Sequence, residues 1–92
     1  MKYVITSRQK RNAKKIGVKI KPSLNQKKKI SVYKDGVKVA DIGAIAYWDY
    51  DHYRNVYGIA YANERQRLYK LRNQKYRHIK GTPAYYADQI LW

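Results

Sequence analysis

Hydrophobic and polar residues alternate along residues 30–41, which is the pattern of a strand with one buried face. Two such runs, 30–33 and 37–40, flank the tripeptide Lys-Asp-Gly at 34–36. Asp-Gly is a strong signal for a tight turn between antiparallel strands. The pattern therefore predicts a β-hairpin, after which Gly43 is expected to bend the chain out of the sheet.

Helical spacing is clearest over residues 63–79, where apolar residues such as Leu68 and Leu71 recur on one face. Asn63 is a suitable N-cap for this helix, and Gly81 is a suitable left-handed residue to follow it. A shorter helix is expected to begin near Asp49 and run toward Tyr57.

Thr82 and Pro83 predict the start of a last helix, because Thr is a good N-cap and Pro fits the first helical position. Gly81, Thr82 and Pro83 should therefore separate two helices. The last helix would turn Ala84, Tyr85, Ala87 and the closing Ile-Leu-Trp of residues 90–92 toward the core.

The first 29 residues lack a continuous apolar face. Isolated apolar residues such as Val18, Ile20 and Leu24 stand among Lys, Arg, Asn and Gln, and Pro22 interrupts any helix across the middle. Residues 17–21 alternate apolar with basic, as in a strand. The sequence thus predicts a single α+β domain at 30–92, with a β-hairpin and two or three helices. An extended basic arm at 1–29 is expected to precede it and to become ordered when it docks on a partner.

Charge changes the functional picture. The net charge is +15, from 21 basic and 6 acidic residues, and residues 1–34 hold twelve of the basic residues and none of the acidic ones. Folding does not need such an imbalance, and self-repulsion makes it costly. An anionic partner is therefore expected. Uncharged runs are far shorter than the roughly 20 residues that span a bilayer, so no membrane span is expected.

Catalytic chemistry has little support in this sequence. Asp49 and Asp51 beside His52 form its main acidic cluster, and capping of a helix explains them as well as binding of a hard cation does. There is no cysteine, no phosphate-binding Gly-rich loop and no Ser/His/Asp set. We expect a non-enzymatic protein without a metal or other cofactor.

The candidate site residues lie in the arm and on the basic helix. They are the cations, and two apolar arm residues, that would contact an anionic partner: Lys10, Arg11, Lys14, Lys15, Val18, Lys19, Ile20, Lys21, Lys27, Lys28, Lys29, Arg65, Arg67, Lys70, Arg72 and Arg77.

The sequence contains eleven Tyr and two Trp but no Phe. Because Tyr and Trp combine an apolar ring with a polar group, they suit contact surfaces that are partly buried and partly exposed to water. An ordinary domain core that uses tyrosine as filler is the alternative.

Residues 27–92 resemble a family of small basic proteins encoded by large nucleocytoplasmic DNA viruses. The resemblance rests on the order of several short features: the Asp35-Gly36 turn, Ile42-Gly43, Tyr47 with Asp49-Tyr50 and His52, Glu64-Arg65 and Tyr69, Arg77-His78, Gly81-Thr82 with Ala84, and the closing Ile90-Leu91-Trp92. It implies a virion protein that is present in the virus factory or host cytoplasm during assembly.

Three roles remain open, and the first two belong to that viral setting. The leading expectation is a minor structural protein of the capsid, which binds acidic surfaces of capsid proteins through the arm and the basic helix. The first alternative is a sequence-independent DNA-binding protein that packages the genome. The second is a basic RNA-binding particle protein. The sequence shows no zinc knuckle, RNP motif or leucine zipper that would favour specific base recognition.

Overall fold

The computed structural model describes residues 3–92, which form a three-stranded antiparallel sheet and four helices. The α+β class predicted from the sequence is confirmed. In chain order the elements are α1 (Ser7–Lys15), β1 (Lys19–Pro22), β2 (Lys28–Lys34), β3 (Val37–Ala44), α2 (Tyr50–Tyr57), α3 (Ile59–Arg72) and α4 (Pro83–Ile90). The strands lie in the order β1-β2-β3.

The predicted hairpin is present as β2 and β3. Its two-residue turn has positive φ angles of 53° at Asp35 and 80° at Gly36, as a type I′ turn requires. The register shifts once, between Val32 and Tyr33, so the ladder contains an irregularity. Asp41 on β3 accepts hydrogen bonds from Ser31, Lys38 and Ser23, and those from Ser31 and Lys38 lower its pKa.

The N-terminal segment differs from the predicted extended arm. Residues 7–15 form a helix, and β1 pairs with β2; residues 1 and 2 lie outside the described residues. Local interactions stabilise this helix: Thr6 and Gln9 form a capping box, and two lysines lie near the negative C-terminal end of the helix dipole. Pro22 does not interrupt it, because it lies in β1.

The hydrophobic core lies where α1 and α4 pack against the sheet. Its most completely buried members come from β2, β3 and α4, and the N-terminal segment contributes Ala13 and Val18. Val18, which looks isolated in the sequence, is therefore part of the core and Ile20 packs against it, whereas Leu24 is exposed. Residues 1–29 and 30–92 are consequently not separable into an arm and a domain over the described part of the chain. The core members are Ala13, Val18, Ile30, Val32, Ala40, Ile42, Tyr86, Ile90 and Leu91.

A buried ion pair joins the sheet to the start of α2. Lys29 Nζ lies 3.1 Å from Asp49 Oδ2, and both side chains are almost inaccessible to solvent. The other oxygen of Asp49 accepts from the backbone N–H of His52 and so caps α2. Tyr3 donates to Asp49 and accepts from the fully buried Gln9 of α1. This polar network connects α1, β2 and α2.

The long predicted helix over 63–79 begins earlier and ends earlier. Gly58 separates α2 from α3, and Asn63 lies inside α3, where it accepts a hydrogen bond from the Tyr50 hydroxyl instead of capping the helix. The helix ends at Arg72, with Asn73 as C-cap. Arg77 then folds back and donates to the carbonyl oxygen of Lys70, one of the backbone groups left free at a helix end.

The predicted start of the last helix is confirmed. Thr82 accepts from the backbone N–H of Tyr85, and Pro83 opens α4. The bend expected at Gly43 lies within β3, at a φ of +76°. A Cβ there would come within 2.7 Å of Leu91 and 3.0 Å of Lys29, so glycine is needed both for the backbone angle and for the close approach of α4.

The buried ion pair generates a first prediction. Replacing Lys29 with Met should lower the free energy of unfolding by about 3–5 kcal/mol, because Asp49 would remain buried without its cation. Lys27→Met, at an exposed position two residues away, should change it by no more than about 0.5 kcal/mol. Urea unfolding followed by circular dichroism measures both. Equal stabilities for the two variants would contradict a structural role for Lys29.

A second prediction concerns Tyr3. Burial, and next the hydrogen bond to Asp49, raise the pKa of its hydroxyl above the ordinary value of 10.0. Its contribution to stability is therefore complete below pH 10 and declines as the pH rises further. Tyr3→Phe should be less stable than the unmodified protein by about 1–3 kcal/mol at pH 8, since Gln9 and Asp49 lose a partner.

The difference between Tyr3→Phe and the unmodified protein should narrow at pH 10.5, where the unfolded tyrosine ionises and the folded one does not. Urea unfolding at the two pH values tests this. A difference that is the same at both values would mean that the hydroxyl of Tyr3 titrates as it does in the unfolded chain.

Candidate functional site

Three of the six acidic side chains are directed into the protein. Asp49, Asp51 and Asp88 are buried, and every acidic residue except Asp35 pairs with a cation of the same chain. The outer surface is therefore more uniformly positive than the composition alone indicates. An anionic partner would meet few carboxylates.

One basic surface lies where α1 meets β1, and we call it the basic groove. Lys10 and Lys14 from α1 and Lys19 and Lys21 from β1 surround a floor made by Ala13, Val18 and Ile20, in a shallow depression of about 520 Å³. Lys10 and Lys14 are four residues apart and so share one face of α1. All four lysines are exposed, and among the described residues none of them has a carboxylate within 4 Å.

The structure thus brings together most of the candidate cations of the N-terminal segment. Arg11 and Lys15 are also exposed on α1, and Lys27 is exposed before β2, with Lys28 half buried beside it. These residues can contact a partner from a folded surface. They do not need to extend away from the domain.

Two predicted contact residues of this segment are placed wrongly for that role. Lys29 is 5% exposed and neutralises Asp49, and Val18 is 7% exposed in the core. Ile20 is half buried and supports the floor of the groove. No local pattern indicates that Lys29 is buried, because its partner lies twenty residues away along the chain.

The cations of the predicted basic helix fall into two groups. Lys70 and Arg77 both approach the buried Asp88, at 3.0 and 3.7 Å, so they hold α4 against α3. Arg67 is exposed and pairs with Glu64. Arg65 and Arg72 have no such carboxylate partner in the described part of the chain, and both line a second concavity.

That second concavity is an aromatic cleft of about 310 Å³. Rings of five residues line it: Tyr47, Trp48, Tyr53, Tyr69 and Trp92. Its walls come from the segment between β3 and α2, from α2 and α3, and from the residues around the end of α4.

Contacts between the rings hold the cleft in shape. Trp92 stacks on Tyr69 with their centroids 4.4 Å apart, and Trp48 meets Tyr53 edge to face at 5.4 Å. Burial, with a smaller contribution from Asp88, raises the pKa of the Tyr69 hydroxyl above its ordinary value. Arg8 and Gln66 donate to the carbonyl oxygen of Trp92 and fix the position of its backbone.

The charge in the aromatic cleft is positive. Arg65 lies over the ring of Tyr53, with 5.1 Å between its guanidinium carbon and the ring centroid, and Arg72 is exposed at the rim. The carboxylate that reaches the cleft belongs to Asp49, which Lys29 already neutralises. The cleft therefore suits a ligand that combines a flat apolar part with negative charge.

The Asp49–His52 cluster has a structural explanation. Asp49 caps α2 and binds Lys29 and Tyr3, whereas Asp51 accepts from the Thr6 hydroxyl and lies 3.8 Å from Arg8. His52 stacks on Trp48, with 4.1 Å between ring centroids. Within residues 3–92, no three His, Asp or Glu side chains are grouped so that they could hold a metal ion.

Membrane-spanning helices are likewise not found over the described range, where no helix has the length and apolar character to cross a bilayer.

The sequence does not predict the aromatic cleft, although its high content of Tyr and Trp is evident. The many Tyr and Trp residues predicted contacts that are partly buried and partly exposed to water. The five residues that form the cleft are, however, spread over positions 47 to 92 of the chain. Only the packing of α2, α3 and α4 brings them together. Arg65 and Arg72 were predicted as contact residues, without the rings beside them.

Comparisons of this chain with protein-family models, with curated proteins and with solved structures find no match.

Proposed function

We propose that this chain is a non-enzymatic protein that binds nucleic acid through the phosphate backbone, without reading its sequence. The observation that carries the proposal is the basic groove. Four exposed lysines without a carboxylate partner in the described chain surround it, while the acidic residues are mostly buried or paired elsewhere.

A phosphate backbone suits this surface physically. Each lysine that neutralises a phosphate releases condensed counterions, which provides binding free energy that does not depend on base sequence. Arg11 and Lys15 extend the same positive helix beyond the groove. Flexible lysine side chains on a shallow surface favour backbone contacts, because readout of base edges requires side chains that enter a groove of the nucleic acid.

The folded N-terminal segment changes the balance between the roles expected from sequence. Threading an extended arm along acidic protein surfaces was the leading expectation, but α1 and β1 are built into the domain. The edge strand β1 carries exposed Lys19 and Lys21, and lysines on an edge oppose the addition of a further strand. A compact basic surface supports polyanion binding more directly.

The resemblance to small basic proteins of large DNA viruses supports a setting for this proposal. A sequence-independent binder of that origin would package or coat the viral genome, in the virus factory and in the virion. A basic RNA-binding particle protein is the remaining alternative, because contacts to phosphates alone do not distinguish RNA from DNA.

A third prediction tests the basic groove. Binding to a random-sequence 20-base-pair DNA duplex should weaken by roughly 10³–10⁵ between 50 and 200 mM salt if about 6–10 phosphates are contacted. Replacing both Lys10 and Lys14 with Gln should weaken binding and reduce the slope of log affinity against log salt by about two. Gln preserves helix propensity, so α1 should remain folded.

Fluorescence anisotropy of the labelled duplex measures these effects. The matched control replaces Lys34 and Lys80 with Gln, which removes the same charge from exposed positions outside the groove. If the control and the groove variant lose the same affinity, the groove is not the binding surface. If the unmodified protein binds duplex no more tightly at 50 than at 200 mM salt, backbone binding is rejected.

A minor capsid protein is the second candidate, because α2 and α3 expose apolar side chains. Val56, Tyr57, Ile59 and Leu71 each expose more than half of their surface. Exposed apolar groups that form a patch often mark a protein contact. An acidic capsid surface that also covers these side chains would fit them.

A fourth prediction separates this candidate from genome binding. A capsid component should remain on genome-free shells at roughly 0.5 M salt, because apolar contacts are not screened by ions. In that case Ile59→Ser should increase its release, and Val37→Ser, at an exposed position on β3, should not. Immunoblotting of washed shells provides the measurement. Release of the unmodified protein at moderate salt would reject the capsid role.

A further inference from the structure

We propose that the aromatic cleft binds an unpaired base of a single-stranded nucleic acid, with Arg65 and Arg72 holding the adjoining phosphates. This inference rests on the proposed function, and it specifies which form of nucleic acid the protein prefers. It concerns a surface that is distinct from the basic groove.

The ring content of the cleft supports a stacking ligand. Tyr47 is 75% exposed and Trp48 is 37% exposed, although large rings gain free energy from burial. Tyr69 and Trp92 already stack on each other, so the deeper wall of the cleft is formed before a ligand arrives. A volume of about 310 Å³ lies at the lower end of the range for small-molecule pockets.

Charge decides which stacking ligand fits. Aromatic cages that bind ammonium groups need a site that tolerates a cation, but three basic side chains, Arg65, Arg72 and Lys29, line this cleft, and among the described residues Asp49 is the one acidic side chain there. A flat base attached to phosphates satisfies both the rings and the guanidinium groups. Arginine is also suited to phosphate, since it can donate two parallel hydrogen bonds.

The form of the nucleic acid follows from access to the base. In a duplex, each base face is covered by its neighbours, so a cleft walled by rings can receive only a base that is unstacked. Single-strand binding proteins combine a positive surface with aromatic side chains that stack on successive bases.

Both tryptophans of the chain line the cleft, which provides a site-specific signal. Titration with a 12-nucleotide oligothymidylate should quench the tryptophan fluorescence. An abasic deoxyribose-phosphate strand of the same length should bind with less quenching and at least about 5-fold more weakly, because stacking is lost. A duplex should leave the fluorescence almost unchanged at concentrations where anisotropy shows that it is bound.

The variants compare two exposed tyrosines. Tyr47→Ala should weaken oligothymidylate binding by about 5- to 150-fold, the range for loss of one stacking ring. Tyr76→Ala removes a tyrosine of comparable exposure that does not line the cleft and should have little effect. Arg72→Gln should reduce the salt slope by about one. Neither tyrosine is buried, so both variants should fold.

The outcomes distinguish this inference from the proposed function. Equal binding of abasic strand and oligothymidylate, without quenching, would reject base stacking and leave salt-dependent duplex binding at the basic groove intact. Equal losses in the two tyrosine variants would also reject it. Quenching by an acidic polyglutamate peptide, but not by oligothymidylate, would assign the cleft to a protein partner. Absence of binding to any nucleic acid would overturn both proposals.

Discussion

The structure depends on the buried pair of Lys29 and Asp49. Burial of two charges costs desolvation free energy, which is offset only when each charge is well hydrogen-bonded. Asp49 accepts hydrogen bonds from Lys29, Tyr3 and the backbone N–H of His52. These donors come from the N-terminal segment, β2 and α2, so satisfying one carboxylate fixes the relative positions of three parts of the chain. Gly43 adds to this constraint, because its missing side chain makes room for both Lys29 and Leu91.

Pairing of buried carboxylates with cations also explains how a chain of net charge +15 folds with only six acidic residues. Asp88 is approached by both Lys70 and Arg77, and Asp51 by Arg8, so the carboxylates are placed where each neutralises a cation inside or beside the packed elements. The cations that remain face outward. Their mutual repulsion opposes folding, and a polyanion would relieve it, so binding of such a partner should stabilise the folded state.

Several local signals in the sequence predicted local structure correctly, but the cap at Asn63 and the helix stop at Gly81 were wrong, because α3 spans Ile59–Arg72. The Asp35-Gly36 turn, the cap at Asp49 and the Thr82-Pro83 helix start each depend on a few adjacent residues, and each is present. The N-terminal helix was missed, because its capping box was overlooked and its apolar positions, Ala13 and Ile16, are too sparse to form a visible stripe. Its burial depends on α4, some seventy residues later, and no local pattern shows that. For the same reason the sequence placed Lys29 on the surface and left the aromatic cleft unseen.

The basic groove and the aromatic cleft are connected through the packing of α1 against α4. Trp92 and Leu91 at the end of α4 line the cleft, and Arg8 of α1 donates to the carbonyl oxygen of Trp92. Lysines of the same helix α1 form one wall of the groove. The two surfaces are thus held by one packed unit, but the proposed binding modes differ. Binding of phosphates at the groove would weaken with salt, whereas stacking of a base on the rings would be little screened. A strand that used both would keep part of its affinity at salt concentrations that release a duplex. The distance between the lysines of α1 and β1 and the rings at the end of α4 would then determine which nucleic acid stays bound.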